Sequence, residues 1–257
     1  MDKNAFQHLD TAIPQSRFHF GSFIGRGFDI WKKQAGLYIA FGILFMVISM
    51  VVGLIPIIGS IANQLIIAPL LTAGAYIFSH KVDKNDNPKF ENFFDATNHA
   101  ATIIGIYAIY LLCILLIMVP IGFGMGINVD MLMGDQDAIL DFFTDFNPLI
   151  LLSFIPLLLI VLIFTFSTQF AIFYDLLAID SIKYSAQVFF KHPFMLFFYV
   201  IVVGLCAMSG IVGLLICVIV TYSFIFPMMY AAFRYLTQLD VYENEEEDQI
   251  VYNTLIE

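Results

Sequence analysis

Thr165, Ser167, Thr168 and Gln169 interrupt a stretch that is otherwise apolar. On a helix, Thr165 and Thr168 share a face with Gln169 close by. Such hydroxyls and an amide can line a substrate path. They can also hydrogen-bond neighbouring helices, which is their commoner role in apolar surroundings. Asn63 and Gln64 offer the same choice. Pro69, Pro156 and Pro227 each remove a backbone N–H from an apolar segment and are expected to kink it. Broken helices bind ions or substrates in some transporters, though a kink more often only shapes how helices pack. His80, His99 and His192 fall near the ends of apolar stretches, as ligands of a membrane metal centre would. No two histidines have the i, i+3 or i+4 spacing that such centres use. Among Asp130, Asp135, Asp137, Asp141 and Asp145, only Asp135-Gln136-Asp137 has the alternation of a calcium loop. There is no Gly-rich phosphate loop and no Gly-x-Ser-x-Gly nucleophile motif. The residues therefore assign no catalytic group, metal ligand or cofactor, and lean away from an enzyme.

The elements around these residues have the composition of a membrane protein. Of the 257 residues, 60% are hydrophobic and 12% charged, against about 25% charged in a soluble domain. No Asp, Glu, Lys or Arg occurs from Gln34 to Ser79 or from Pro193 to Phe233. Each void is about twice the ~20 residues that cross a bilayer core, so each predicts a hairpin of two helices. The expected fold is all-α and polytopic, with spans at 36–54, 61–79, 101–119, 149–173, 194–209 and 214–233. They pair as three in-out-in hairpins in a single domain, 18–236. A flexible N-terminus, 1–17, precedes it, and an acidic cytoplasmic tail, 237–257, follows.

All eleven Lys and Arg residues fall on one side of that arrangement. Basic residues are retained on the cytoplasmic side, so the expected location is the inner membrane with both termini in the cytoplasm. No cleavable leader is visible. Seven of the 21 acids lie in the tail, so the net charge does not argue for a cationic partner. The basic residues are scattered, and nucleic acid is not an expected partner. Cys113, Cys206 and Cys217 sit in apolar stretches as small hydrophobes, and no disulfide framework is expected.

Short amphipathic segments lead into the hairpins. Phe20, Ile24, Phe28 and Trp31 recur at helical spacing beside basic residues, which suits a helix lying in the membrane interface. Phe90, Phe93, Phe94 and Thr97 form a second lead. Ile179, Ile182, Ala186 and Phe190 form a third. Arg26, Lys32, Lys33 and Lys191 are the candidate contacts for lipid headgroups. An echo links the outer hairpins: Pro69 follows Trp31 by 38 residues, and Pro227 follows Phe190 by 37.

The arrangement resembles a family of poorly characterised bacterial multi-pass inner-membrane proteins. It includes the YciC-like proteins and the membrane domain fused to some glycerophosphodiester phosphodiesterases. The resemblance rests on the aromatic-led helix before each hairpin and the proline in the returning span. It also rests on Asp180-Ser181-Ile182-Lys183-Tyr184-Ser185-Ala186 ahead of Lys191-His192-Pro193, and on the run from Pro227 to Tyr235. It covers most of residues 18–236. The resemblance implies a six-span fold and carries no established activity.

The leading expectation is a non-enzymatic membrane protein that organises membrane lipids or a protein partner through its cytoplasmic face or acidic tail. The alternative is a transporter or flippase for an apolar or lipid-like molecule, which requires a cavity at mid-membrane depth. A membrane metalloenzyme is a third expectation and requires His80, His99 and His192 to meet.

Overall fold

A computed structural model describes residues 3–124, 150–208 and 220–246. The chain forms α1 (Lys3–Gln15), α2 (Phe20–Lys33) and α3 (Ala35–Gly53). Next, α4 (Ile58–Ala62) runs through a π-helical turn (Asn63–Ile67) into α5 (Ala68–Asp83). A 3₁₀ helix (Phe90–His99) leads into α6 (Ala100–Gly124). After it come α7 (Ile150–Phe164), α8 (Ser167–Phe173), α9 (Ala178–Lys191), α10 (Pro193–Met208) and α11 (Ile225–Thr237). The last described helix, α12, covers residues 239–246. No strand occurs among the described residues.

Four helices are long and apolar enough to cross a membrane: Ala35–Gly53, Ile58–Asp83, Phe90–Ile121 and Phe154–Phe173. The pair α9 and α10, bent by 102°, makes a fifth if it is one broken span. Met50, Leu54, Leu116, Phe154, Phe194 and Met208 are all more than half exposed. A belt of large apolar side chains is unfavourable against water and neutral against lipid, so these helices point to a membrane location. The expected spans 194–209 and 214–233 run into residues 209–219. Those residues, the first residue of the span 149–173 and the five loop aspartates lie outside the described residues.

The helix pairs α2–α3 and α9–α10 are built on one pattern. α2 and α9 are each 14 residues long. Both end at a corner with nearly the same backbone, Gln34 at φ −138°, ψ 37° and His192 at φ −133°, ψ 52°. The offset between the corners, 158 residues, is also the offset from Pro69 to Pro227. Burial repeats with it. Phe23, Gly27, Ile30, Tyr38, Phe41 and Phe45 correspond to Ser181, Ser185, Val188, Leu196, Tyr199 and Val203, and all twelve are buried. Trp31 thus matches Phe189 and not Phe190, one residue from the register of the sequence echo. Two adjacent phenylalanines made the aromatic landmark ambiguous.

Each short lead helix packs mainly on a helix distant from it or preceding it in the chain, not on the apolar helix it leads into. α2 lies against α11, the 3₁₀ helix against α5, and α9 against α8. These are the most extensive helix contacts among the described residues. Missing side chains permit the approach. A Cβ on Gly27 would lie 2.6 Å from the Met228 Cα, and one on Gly74 would collide with the Phe93 carbonyl. The Phe93 ring is clamped between Phe41 (4.0 Å) and Phe78 (3.9 Å). At the third joint Ser185 occupies the place of Gly27. Its hydroxyl donates to the Ile163 carbonyl (2.5 Å) and accepts from the Phe166 N–H (3.1 Å). Those are backbone groups freed where α7 breaks from α8, and in an apolar interior they need a partner.

The three prolines sit in three different local settings. The π turn widens the helix by one residue just before Pro69, with the Ala68 N–H reaching back to the Asn63 carbonyl. This accommodates a residue that has no N–H to give to the preceding turn. Pro156 sits inside α7, which continues past it; the break in that span falls at Thr165–Phe166. Pro227 is the third residue of α11, where the missing N–H costs little.

Both ends of the chain also differ from expectation. Residues 1–17 were expected to be flexible, but Lys3–Gln15 is a helix. It buries Ala5, Leu9, Ala12 and Ile13, a stripe at helical spacing, against α9 and α11. In the tail, α12 buries Leu239 and Tyr242. Its acids are drawn into ion pairs with the preceding helices, so its beginning belongs to the folded domain. In the third lead the apolar stripe read from the sequence faces partly outward. Ile179 and Phe190 are 73% and 71% exposed, while α9 turns Ser181, Tyr184 and Ser185 inward. Apolar side chains need not point inward when lipid surrounds the fold.

Candidate functional site

Thr165 and Thr168 do share a face, and it borders a cavity of about 350 Å³. The other walls come from α5, α6, α10 and α11. Tyr76, Tyr107 and Tyr110 line it with phenolic rings, facing Val203, Gly204 and Met229. α10 makes its main contacts with α9 and α11, not with α6 or α7, and this leaves the space between them. Gly204 keeps it open, since a Cβ there would meet nothing within 4 Å. Tyr76 lies seven residues before Asp83 and Tyr110 eleven after His99, or about 10 and 16 Å along a helix. If Asp83 and His99 mark the edge of a hydrocarbon core roughly 30 Å thick, this is near its mid-depth.

The structure divides the polar patch in two. The Thr165 hydroxyl donates to the Val161 carbonyl (2.9 Å) and borders the cavity with Thr168. Ser167 and Gln169 are fully buried away from it. The Gln169 amide lies beside Tyr76 without a well-aligned hydrogen bond.

A second constellation lies at the charged end of the bundle. The Asp83 side chain is completely buried and pairs with Arg26 (2.5 Å) and with Arg234. Through Nε, Arg234 also donates to both carboxylate oxygens of Asp240 on α12, each at 2.9 Å. Nearby, Glu243 pairs with Lys84 (2.5 Å) and His80 (3.1 Å), and the Tyr230 hydroxyl bonds to the other His80 ring nitrogen (2.8 Å). A neutral imidazole satisfies both contacts, accepting from Tyr230 and donating to Glu243. Burial raises the Glu243 carboxyl above its ordinary value, against the pull of Lys84. Asp83 lies beyond the expected span 61–79. α5 continues to it because Phe78, Ser79 and Val82 extend the buried face, and the turn follows at Asn85 and Asn87, both at positive φ. The available signal was the four-residue step from Ser79 to Asp83.

Of the candidate headgroup contacts, three are engaged within the protein. Arg26 pairs with Asp83, Lys33 donates to the Asn85 side chain (2.7 Å) and Lys191 donates to the Pro14 carbonyl (2.7 Å). Lys32 is exposed and lies 4.1 Å over the Phe28 ring. The three histidines do not converge. His80 meets Glu243 and Tyr230, His99 faces Asp175 (3.5 Å), and His192 bonds to Ser16 (3.0 Å). No group of three or more His, Cys, Asp and Glu suited to a metal occurs among the described residues. Burial, with Lys191 beside it, lowers the His192 imidazole pKa. Comparisons with protein-family models, curated proteins and solved structures found no match.

Proposed function

We propose that this chain is a six-span inner-membrane protein that holds a lipid-like, apolar molecule in the cleft between α10 and α6–α7. The reading includes three in-out-in hairpins with both termini in the cytoplasm, the short lead helices lying in the membrane interface, and the kinship with YciC-like proteins. The cavity is the observation that carries it. Its volume of about 350 Å³ falls within the roughly 300–1,000 Å³ of small-molecule sites. It lies at mid-depth, its walls are apolar, and tyrosine and threonine hydroxyls offer a few polar contacts to one end of a ligand. No Asp, Glu, Lys, Arg or His lines it, which fits an uncharged guest and not a proton-coupled one. Asp240 and Glu243 are meanwhile engaged in ion pairs within the protein.

Lipid analysis of protein extracted in mild detergent tests this. Wild type should carry a lipid-like molecule at a fixed ratio. Gly204→Trp should fill the cleft and lose it, while Leu205→Trp, at a position 60% exposed on the same helix, should keep it. Equal lipid content in all three would contradict the reading. Reporter fusions test the topology. A periplasmic reporter should be active at Gln136 and silent at Asn85 and Gln238; the reverse pattern would overturn the orientation.

A further inference from the structure

A second cavity, of about 590 Å³, lies at the charged end, between the α1–α2 linker, α2, α11 and α12. It is separated from the membrane cleft by α11. Ile225 and Met229 face the cleft, whereas Ala231, Arg234 and Tyr235 face this second space, and a helix turns these two sets to roughly opposite sides. Three guanidiniums border it: Arg17 from the linker, Arg26 from α2 and Arg234 from α11.

Their charges are unequally used. Arg234 is shared between Asp83 and Asp240. Arg26 gives one nitrogen to Asp83 and remains 52% exposed. Arg17 is exposed and forms no ion pair with a described residue. Against three positive groups stand the two carboxylates of Asp83 and Asp240, so one positive charge is unmatched. The hydroxyl of Ser22 and the amides of Gln15 and Gln238 add neutral donors around it. Gln238 holds a left-handed backbone at φ 52°, at a helix terminus where glycine is the ordinary choice. Planar guanidiniums with spare N–H groups, ringed by neutral donors, match the oxygens of a phosphate.

We propose that this cavity binds a phosphate group, carried either by a lipid headgroup at the membrane surface or by a small soluble phosphomonoester. Arg17 and the free donors of Arg26 supply the contacts. The Asp83–Arg234–Asp240 chain holds the wall in place.

Binding to the full chain in detergent tests this in two arms. Native mass spectrometry compares retention of phosphatidate with that of diacylglycerol, which differs in lacking the phosphate. Calorimetry with glycerol 1-phosphate covers the soluble source. In one arm or the other, wild type should bind the phosphate compound, and Arg17→Gln should weaken it about tenfold, as expected for one charge-assisted hydrogen bond. Lys183→Gln, an exposed charge elsewhere, should change nothing. Ser22→Trp, at an exposed position on the cavity wall, should block the site without touching any arginine. Binding in the first arm alone assigns a lipid, and in the second alone a soluble ligand. Absence of binding in both arms, or binding indifferent to both Arg17→Gln and Ser22→Trp, would overturn the proposal. Gly204→Trp should leave phosphate binding intact, so failure of the membrane cleft and failure of this site are distinguishable.

Discussion

The helix pairs α2–α3 and α9–α10 turn through the same corner and bury the same six positions, yet they meet different neighbours with different chemistry. At one position Gly27 lets α2 lie directly on the α11 backbone beside Met228. At the equivalent position Ser185 mends the break between α7 and α8 with two hydrogen bonds. Asp83 ends the first unit as the buried centre of an ion-pair chain, whereas the matching residue of the last unit is Val241. Geometry repeats from one pair to the other, and each joint is then closed by whatever contact its partner requires. The unmatched chemistry falls at the charged end, where α1 and α12 also dock.

Substitutions that exchange or erase the differences test this view. Asp83→Asn should have the largest effect. It leaves Arg26 and Arg234 without their shared counter-charge, and breaking a buried pair on one side costs about 3 kcal/mol or more. The thermal midpoint in detergent should fall sharply, and Val241→Asp added at the matching position should not restore it. Gly27→Ser copies the last unit into the first. Its side chain would be forced against Met228, at a cost of about 2 kcal/mol as an overpacking change. Ser185→Gly makes the reverse exchange. It strands the Ile163 carbonyl and the Phe166 N–H at a cost of roughly 1–2 kcal/mol, and hydrogen exchange at Phe166 should accelerate. If the two exchanges were silent, the joints would not depend on these residues.

The smallest effect concerns pH. The Glu243 carboxyl has a raised pKa in the folded protein, so the folded state binds this proton more tightly than the unfolded state. That contribution is most favourable below the ordinary carboxyl value and is lost as pH rises through the raised one. Docking of α12 should therefore loosen slightly from mildly acid to neutral pH, and Glu243→Gln should flatten the trend. A trend of the opposite sign in wild type would contradict the assignment.

The all-helical architecture was legible because lipid imposes a simple rule on spans: the first charge-free stretch holds two span-length helices. The lead helices were legible from their aromatic spacing. The inward face of the third was not, since Ser181, Tyr184 and Ser185 face protein while Ile179 and Phe190 face outward. α1 was misread because Leu9 and Ile13 sit among polar residues, and its stripe matters only once α9 and α11 are there to receive it. Thr165 and Thr168 were visible as a pair, but the cavity they border was not. It exists because α10 leans on α9 and α11 and leaves α6 and α7 uncovered, a property of helix pairing that no local pattern encodes. Asp83 was hidden for a similar reason, since its partners lie far away at positions 26 and 234.

The membrane cleft is most directly tested by a photoreactive phenylalanine analogue placed at Tyr110, inside the cleft, and separately at Leu116, 66% exposed on the same helix. After illumination in intact membranes, Tyr110 should trap one lipid-like species that Gly204→Trp abolishes, while Leu116 should trap the mixed bulk lipids in both backgrounds. Indistinguishable adducts from the two positions would contradict a held ligand and leave the cleft as packing space alone.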